Sequence, residues 1–137
     1  MARKKENVLS TIKSLHKIKP SHADARGGIF DLLDADRIRH AGLLISKPKS
    51  LRGNHFHKKA TQYTYVIEGK INIYLREAWN ANGAVKKIVM SEGDMIRLPP
   101  YIIHTIEAIK LSKLLILTDQ SRVNNGYEHD TYRVKIK

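Results

Sequence analysis

Apolar positions along this chain recur with two different periods. In residues 7–19, Val8, Leu9, Ile12, Leu15 and Ile18 fall close to helical spacing. That predicts a short amphipathic helix ending before Pro20, with Asn7 or Ser10 as its cap. After residue 22 the helical period disappears. Gly27-Gly28 signals a turn, residues 29–33 and 38–46 read as short strands, and the Lys-Pro-Lys-Ser run at 47–50 breaks the second. Residues 62–67 are rich in Tyr, Thr and Val, and residues 68–70 form a turn. In residues 70–75, Ile71, Ile73 and Leu75 alternate with Asn72 and Tyr74, the period-two pattern of a half-buried strand. A hairpin-like loop at 80–83, a strand at 85–90, a turn at 92–94 and strands at 95–98, 104–109 and 114–118 follow. The tail, residues 127–136, reads as an added outer strand.

Many short strands separated by turns every ~8–12 residues indicate an all-β sandwich or barrel. The chain has 137 residues, enough for one core. The pattern divides it into a basic N-terminal arm, residues 1–22, and one barrel, residues 23–137.

Composition changes the picture in three respects. No apolar run approaches the ~18 residues of a membrane span, and no apolar signal core follows the basic start, so a cytoplasmic location and no membrane partner are expected. Cysteine is absent, which excludes disulfides and thiolate ligands. Net charge is +12, and the first twenty residues carry Arg3, Lys4, Lys5, Lys13, Lys17 and Lys19 against Glu6 alone. Such charge attracts anionic ligands. The arm has no aromatic residue to interleave with its charge, so nucleic acid is not expected as a partner.

The candidate chemistry is a histidine cluster. His55 and His57 are two apart, so on a strand they point to the same face. Gln62 and His104 would have to join them from neighbouring strands. Neutral imidazole is the commonest protein ligand of divalent first-row metals, and three ligands with an open position is the usual catalytic layout. His16, His22, His40 and His129 have no partner at ligand spacing and are read as surface.

These residues lie in a pattern that resembles the cupin family. One motif reads His55-Phe56-His57, Gln62, Gly69; the other reads Gly93 through Pro99 and then His104. The resemblance covers about residues 25–120. It implies a double-stranded β-helix, the jelly-roll barrel, with His55, His57, Gln62 and His104 converging in its mouth. It also implies a divalent transition metal there: iron, manganese, nickel, copper or zinc. Most metal cupins carry Glu where this chain has Gln62. An amide is a weaker donor than a carboxylate, so metal affinity should fall and the ion should favour an anionic ligand. The leading expectation is therefore a metal-binding cupin for a small, polar, anionic molecule. Small cupins commonly pair, and a homodimer is the default.

A narrower resemblance gives the first alternative. Arg52-Gly53-Asn54-His55-Phe56-His57-Lys58 with Gln62 is similar to cupins acting on nucleotide-linked sugars, including the sugar 3,4-ketoisomerases and capsular-polysaccharide enzymes. The resemblance implies that His55 and His57 act as catalytic acid and base without metal. Arg52, Lys58 and Arg97 are then candidates for holding a diphosphate, and Tyr101 for lining the mouth. His104 is what a metal site needs and a bare proton shuttle does not. The second alternative is a non-catalytic binding or sensor protein.

Overall fold

The computed structural model describes residues 6–34 and 37–137. Arg3, Lys4 and Lys5 of the basic arm lie outside them. Among the described residues, twelve strands and two short α-helices follow in chain order: α1 (Val8–Lys13), β1 (His16–Lys17), β2 (His22–Asp24), β3 (Gly27–Ile29), β4 (His40–Ser46), β5 (Leu51–Phe56), β6 (Gln62–Glu68), β7 (Lys70–Glu77), β8 (Lys86–Ser91), β9 (Asp94–Leu98), β10 (Ile102–Ala108), β11 (Ser112–Thr118), α2 (Gly126–His129) and β12 (Tyr132–Arg133). One sheet runs β1-β9-β6-β11-β4, the other β12-β5-β10-β7-β8, and β2-β3 form a separate hairpin. All pairings are antiparallel.

The core lies between the two larger sheets. Val66, Ile71, Ile73, Leu75, Met90, Ile96, Leu98, Ile102 and Leu114 are fully or almost fully buried there. Period-two alternation explains the selection: Ile96 and Leu98 of β9 point inward while Arg97 between them reaches the outer face. Each such buried side chain contributes about 1.5–3 kcal/mol of transfer free energy.

The expected helix is present but short. Asn7 caps it, accepting from the Ser10 N–H at 2.8 Å. Its Val8 enters the core, and Ile12 and Leu15 pack beside it. Beyond residue 13 the apolar positions serve an extended segment instead: β1 pairs with β9, and Ile18 packs against Tyr63 and Met95 on the outer face of the sheet. Residues 29–33 are not the strand the pattern suggests. Only Ile29 is in a strand, and Leu32 and Leu33 lie as loop against the Ile18–Tyr63–Met95 cluster. The apolar run matches a strand in composition, but its burial is one-sided contact without a ladder.

β5, which carries the histidine pair, contains a bulge. Thr105 pairs with Gly53 and His104 with His55, so Asn54 is the extra residue. Gly53 and Asn54 both take positive φ, 108° and 53°. The Asn54 side chain accepts from the main chain of Ile136 at 2.8 Å and from the Thr105 hydroxyl at 2.8 Å, which ties the C-terminal tail over the bulge. The expected tail strand is reduced to β12, which pairs Tyr132 with Phe56 and Arg133 with His55.

Candidate functional site

The structure brings three of the four expected ligands into one cluster. His55 on β5 and His104 on β10 are cross-strand partners, and His57 follows two residues after His55. Ring centroids are 5.0 Å apart for His55–His57, 4.7 Å for His55–His104 and 5.5 Å for His57–His104. One ring nitrogen from each lies within 4.8 Å of the others. Gln62 on β6 is buried and lines the same cavity, with its amide nitrogen 3.2 Å from the Thr64 hydroxyl.

Main-chain carbonyls determine two of the tautomers. A carbonyl oxygen can only accept, so His57 Nδ1–H donates to the oxygen of Asp130 at 2.8 Å, and His104 Nδ1–H to that of Ile102 at 3.1 Å. Each ring therefore carries its lone pair on Nε2. His104 Nε2 is buried and has no hydrogen-bond partner among the described residues. Burial depresses all three pKa values. His55 is pushed down to about 4, first by desolvation and then by His57, Arg133 and Arg122, with Glu128 opposing. His57 is lowered by burial, partly offset by its bond to Asp130. His104 is lowered well below the usual value by burial and by its two neighbours. The cluster is neutral near pH 7.

The cavity above the cluster has a volume of about 430 Å³. Arg52, Arg122 and Arg133 line it, as do His40 and Tyr127. Arg52 is oriented by the Ser46 hydroxyl at 3.1 Å. Arg133 pairs with Glu128 at 2.8 Å. The Arg122 guanidinium lies 4.3 Å over the Tyr127 ring, which stands 6.1 Å from His55 and 5.7 Å from His57. The mouth therefore offers cationic donors above neutral bases.

Three sequence candidates are not part of this cavity. Arg97 is on the outer face of β9, bound to Glu6 at 2.6 Å. Lys58 lies beyond the end of β5 and puts its amine 4.3 Å over Tyr132. Tyr101 stacks on Phe56 at 5.9 Å, again on the outer side. Of the surface histidines, His40 differs from expectation. It lines the cavity, its buried Nδ1 has no partner among the described residues, and burial lowers its pKa. Reasoning from motifs gave no role to His40, Arg122, Tyr127 or Arg133, although the run 127–133 also resembles the C-terminal end of the sugar ketoisomerases. Strand register gives a signal for two of them: His40 pairs with Thr118, and Arg133 lies directly opposite His55.

Residues 22–132 match the family model of the polysaccharide biosynthesis C-terminal domain. The chain belongs to that family. Solved structures agree on the fold. The sugar 3,4-ketoisomerase QdtA from Thermoanaerobacterium thermosaccharolyticum, in complex with TDP, superposes with a TM-score of 0.71 at 21% identity, over 87% of this chain and 85% of that one. A dTDP-4-dehydrorhamnose 3,5-epimerase from Sulfolobus tokodaii gives 0.72 at 16%, over 89% and 76%. The capsular polysaccharide assembling protein CapF from Staphylococcus aureus gives 0.64 at 21%, over 84% of this chain and 34% of that one. No curated protein matches the sequence. The jelly-roll expectation is thus met by a cupin-like fold of the RmlC type. Among the described residues no helix is long and apolar enough to cross a membrane.

Proposed function

We propose that this chain binds a sugar carried on a nucleoside diphosphate and moves a proton beside the sugar's ketone, as an isomerase or epimerase. The observation that carries this reading is His55, in the wall of a cavity that Arg52, Arg122 and Arg133 also line, with the His57 ring 5.0 Å behind it. The fold shared with QdtA, crystallised with TDP-4-keto-6-deoxyglucose, supports it. The arginines suit the diphosphate. His57 is the better base: its Nδ1–H is held by the Asp130 carbonyl, which leaves the lone pair on Nε2 and stabilises the imidazolium that forms. It takes the proton from the carbon next to the ketone, leaving an enediolate. Transfer of the neighbouring hydroxyl's proton to the former carbonyl oxygen, with return of a proton to the former carbonyl carbon, transposes the ketone. Return to the original carbon from the other face, by His55, inverts it. A bound diphosphate raises both histidine pKa values toward neutrality by its negative charge.

The test is incubation with TDP-4-keto-6-deoxyglucose in D₂O, followed by NMR. Deuterium at the carbon next to the ketone in wild type, lost in His57→Asn, is the expected result. No exchange with this or other nucleotide-linked ketosugars would overturn the reading.

A second reading is favoured by the unpartnered Nε2 of His104. A proton shuttle has no use for it, whereas two Nε2 lone pairs aimed by carbonyl-bonded Nδ1–H groups are the usual preparation of metal ligands. The donor set fits a divalent transition metal on His55, His57, His104 and Gln62, which would supply Lewis-acid stabilisation of a ligand's oxygen. Elemental analysis of untagged protein purified without chelator should then give about one equivalent, lost in His104→Ala. Metal-free protein that stays empty on zinc, nickel or iron addition ends this reading. Pairing of two copies also belongs to the proposal, since β4 has a free edge among the described strands and exposes Leu43 and Ile45 beside it. Light scattering should give twice the chain mass.

A further inference from the structure

A second cleft, about 510 Å³, lies on the outer face of the β6–β9 sheet, away from the histidines. Its wall contains Arg37, Arg39 and Arg97, with Thr61, Tyr63, Asp119 and Gln120. The two sites sit back to back across β6. Gln62 and Thr64 face the interior, while Tyr63 faces outward opposite Arg97, its cross-strand partner. Arg39 is anchored by its main chain, which donates to Thr118 at 2.9 Å. Neither Arg37 nor Arg39 forms an ion pair with a described residue. Among the described lining residues Asp119 is the one carboxylate, and one of its oxygens already accepts from the Thr61 N–H at 2.9 Å. Arg97 meets an anion already: the Glu6 carboxylate lies 2.6 Å from its guanidinium, with both side chains more than a third exposed.

We propose that this cleft is a second anion site that takes a diphosphate group, free or esterified. Three guanidiniums around one cleft exceed the two described carboxylates beside them, Asp119 and Glu6, and a guanidinium can form two parallel bonds to phosphate oxygens. A diphosphate has enough oxygens to engage all three. The Glu6 carboxylate occupies Arg97 until such a ligand displaces it. The inference stands independently of the chemistry proposed for the histidine cavity.

The test is calorimetric titration of the full chain with inorganic pyrophosphate at low salt. Wild type should bind, and Arg37→Ala with Arg39→Ala should weaken binding about ten-fold or more, because charged hydrogen bonds to both are lost. Both arginines are exposed, so the double variant should keep the wild-type melting temperature. Lys86→Ala with Lys87→Ala removes the same charge elsewhere and should leave affinity within about two-fold. An equal loss in both pairs, or no binding by wild type, overturns the site. Arg122→Ala with Arg133→Ala should retain pyrophosphate binding; a loss confined to that pair places the anion in the histidine cavity and overturns the proposal. Glu6→Gln frees Arg97 and should tighten binding by about two- to five-fold; unchanged affinity removes Arg97 from the site. UDP titrated into the Arg122, Arg133 variant separates the ligand sources. Binding equal to pyrophosphate indicates an esterified diphosphate, and pyrophosphate binding alone indicates the free ion.

Discussion

His57 donates through Nδ1 to the main-chain oxygen of Asp130, and the Asp130 carboxylate in turn accepts from the main-chain N–H groups of Lys58 and Lys59 and of Ala60. One residue of the C-terminal segment thus fixes both the path of the chain leaving β5 and the tautomer of the histidine at its end. The two contacts use different atoms of Asp130, so substitution can separate them.

Asp130→Ala leaves three N–H groups without their acceptor. Bonds to a charged group are worth about 1.5–3 kcal/mol, so urea denaturation should show a loss of about 2–4 kcal/mol for the variant. Asp130→Asn keeps an acceptor oxygen and should cost less. Because His57 is held by the main-chain carbonyl, nitrogen NMR should find its Nδ1–H tautomer intact in the folded Asn variant.

Gly53 takes φ of 108°, and a Cβ there would lie 2.5 Å from the His104 carbonyl oxygen. Gly53→Ala should therefore combine backbone strain of about 1–3 kcal/mol with displacement of His104. Gly27 also has positive φ, 130°, but a Cβ there meets nothing within 4 Å. Gly27→Ala should cost only the backbone part. Equal melting temperatures for the two variants would contradict the close approach of β5 and β10.

The depressed histidines make stability fall in acid. In the unfolded chain His55, His57 and His104 titrate near the ordinary value, whereas in the folded chain they are lowered, His55 to about 4. Between about pH 6.5 and 4 the unfolded state binds more protons, so stability rises with pH across that window and levels off above it. Melting temperatures from pH 4 to 8 should show this, with a shallower slope in His104→Asn. A slope of opposite sign would mean that the histidines are charged in the folded state.

Gln62→Glu adds the carboxylate that the site lacks. If Gln62 is a metal ligand, competition against a chelator should show zinc or nickel held at least about ten-fold more tightly. Affinity equal to wild type would remove Gln62 from the coordination sphere and leave three histidines alone.

Much of this molecule was legible in local pattern. Alternation along residues 70–75 marked β7, turns at 68–70 and 92–94 delimited the neighbouring strands, and the spacing of His55 and His57 put both imidazoles on one face. Those features depend on residues within a few positions of each other, so the sequence by itself determined them, together with the shared motifs that bring Gln62 and His104 to the same cavity. The tertiary structure decided what depends on register between distant strands. It placed Arg133 opposite His55, put His40 in the cavity wall, and set the outward-facing Arg97 against Glu6. Strand composition specifies which residues alternate but not which strand lies alongside. A one-residue difference in register, such as the Asn54 bulge, moves every later side chain to the other face.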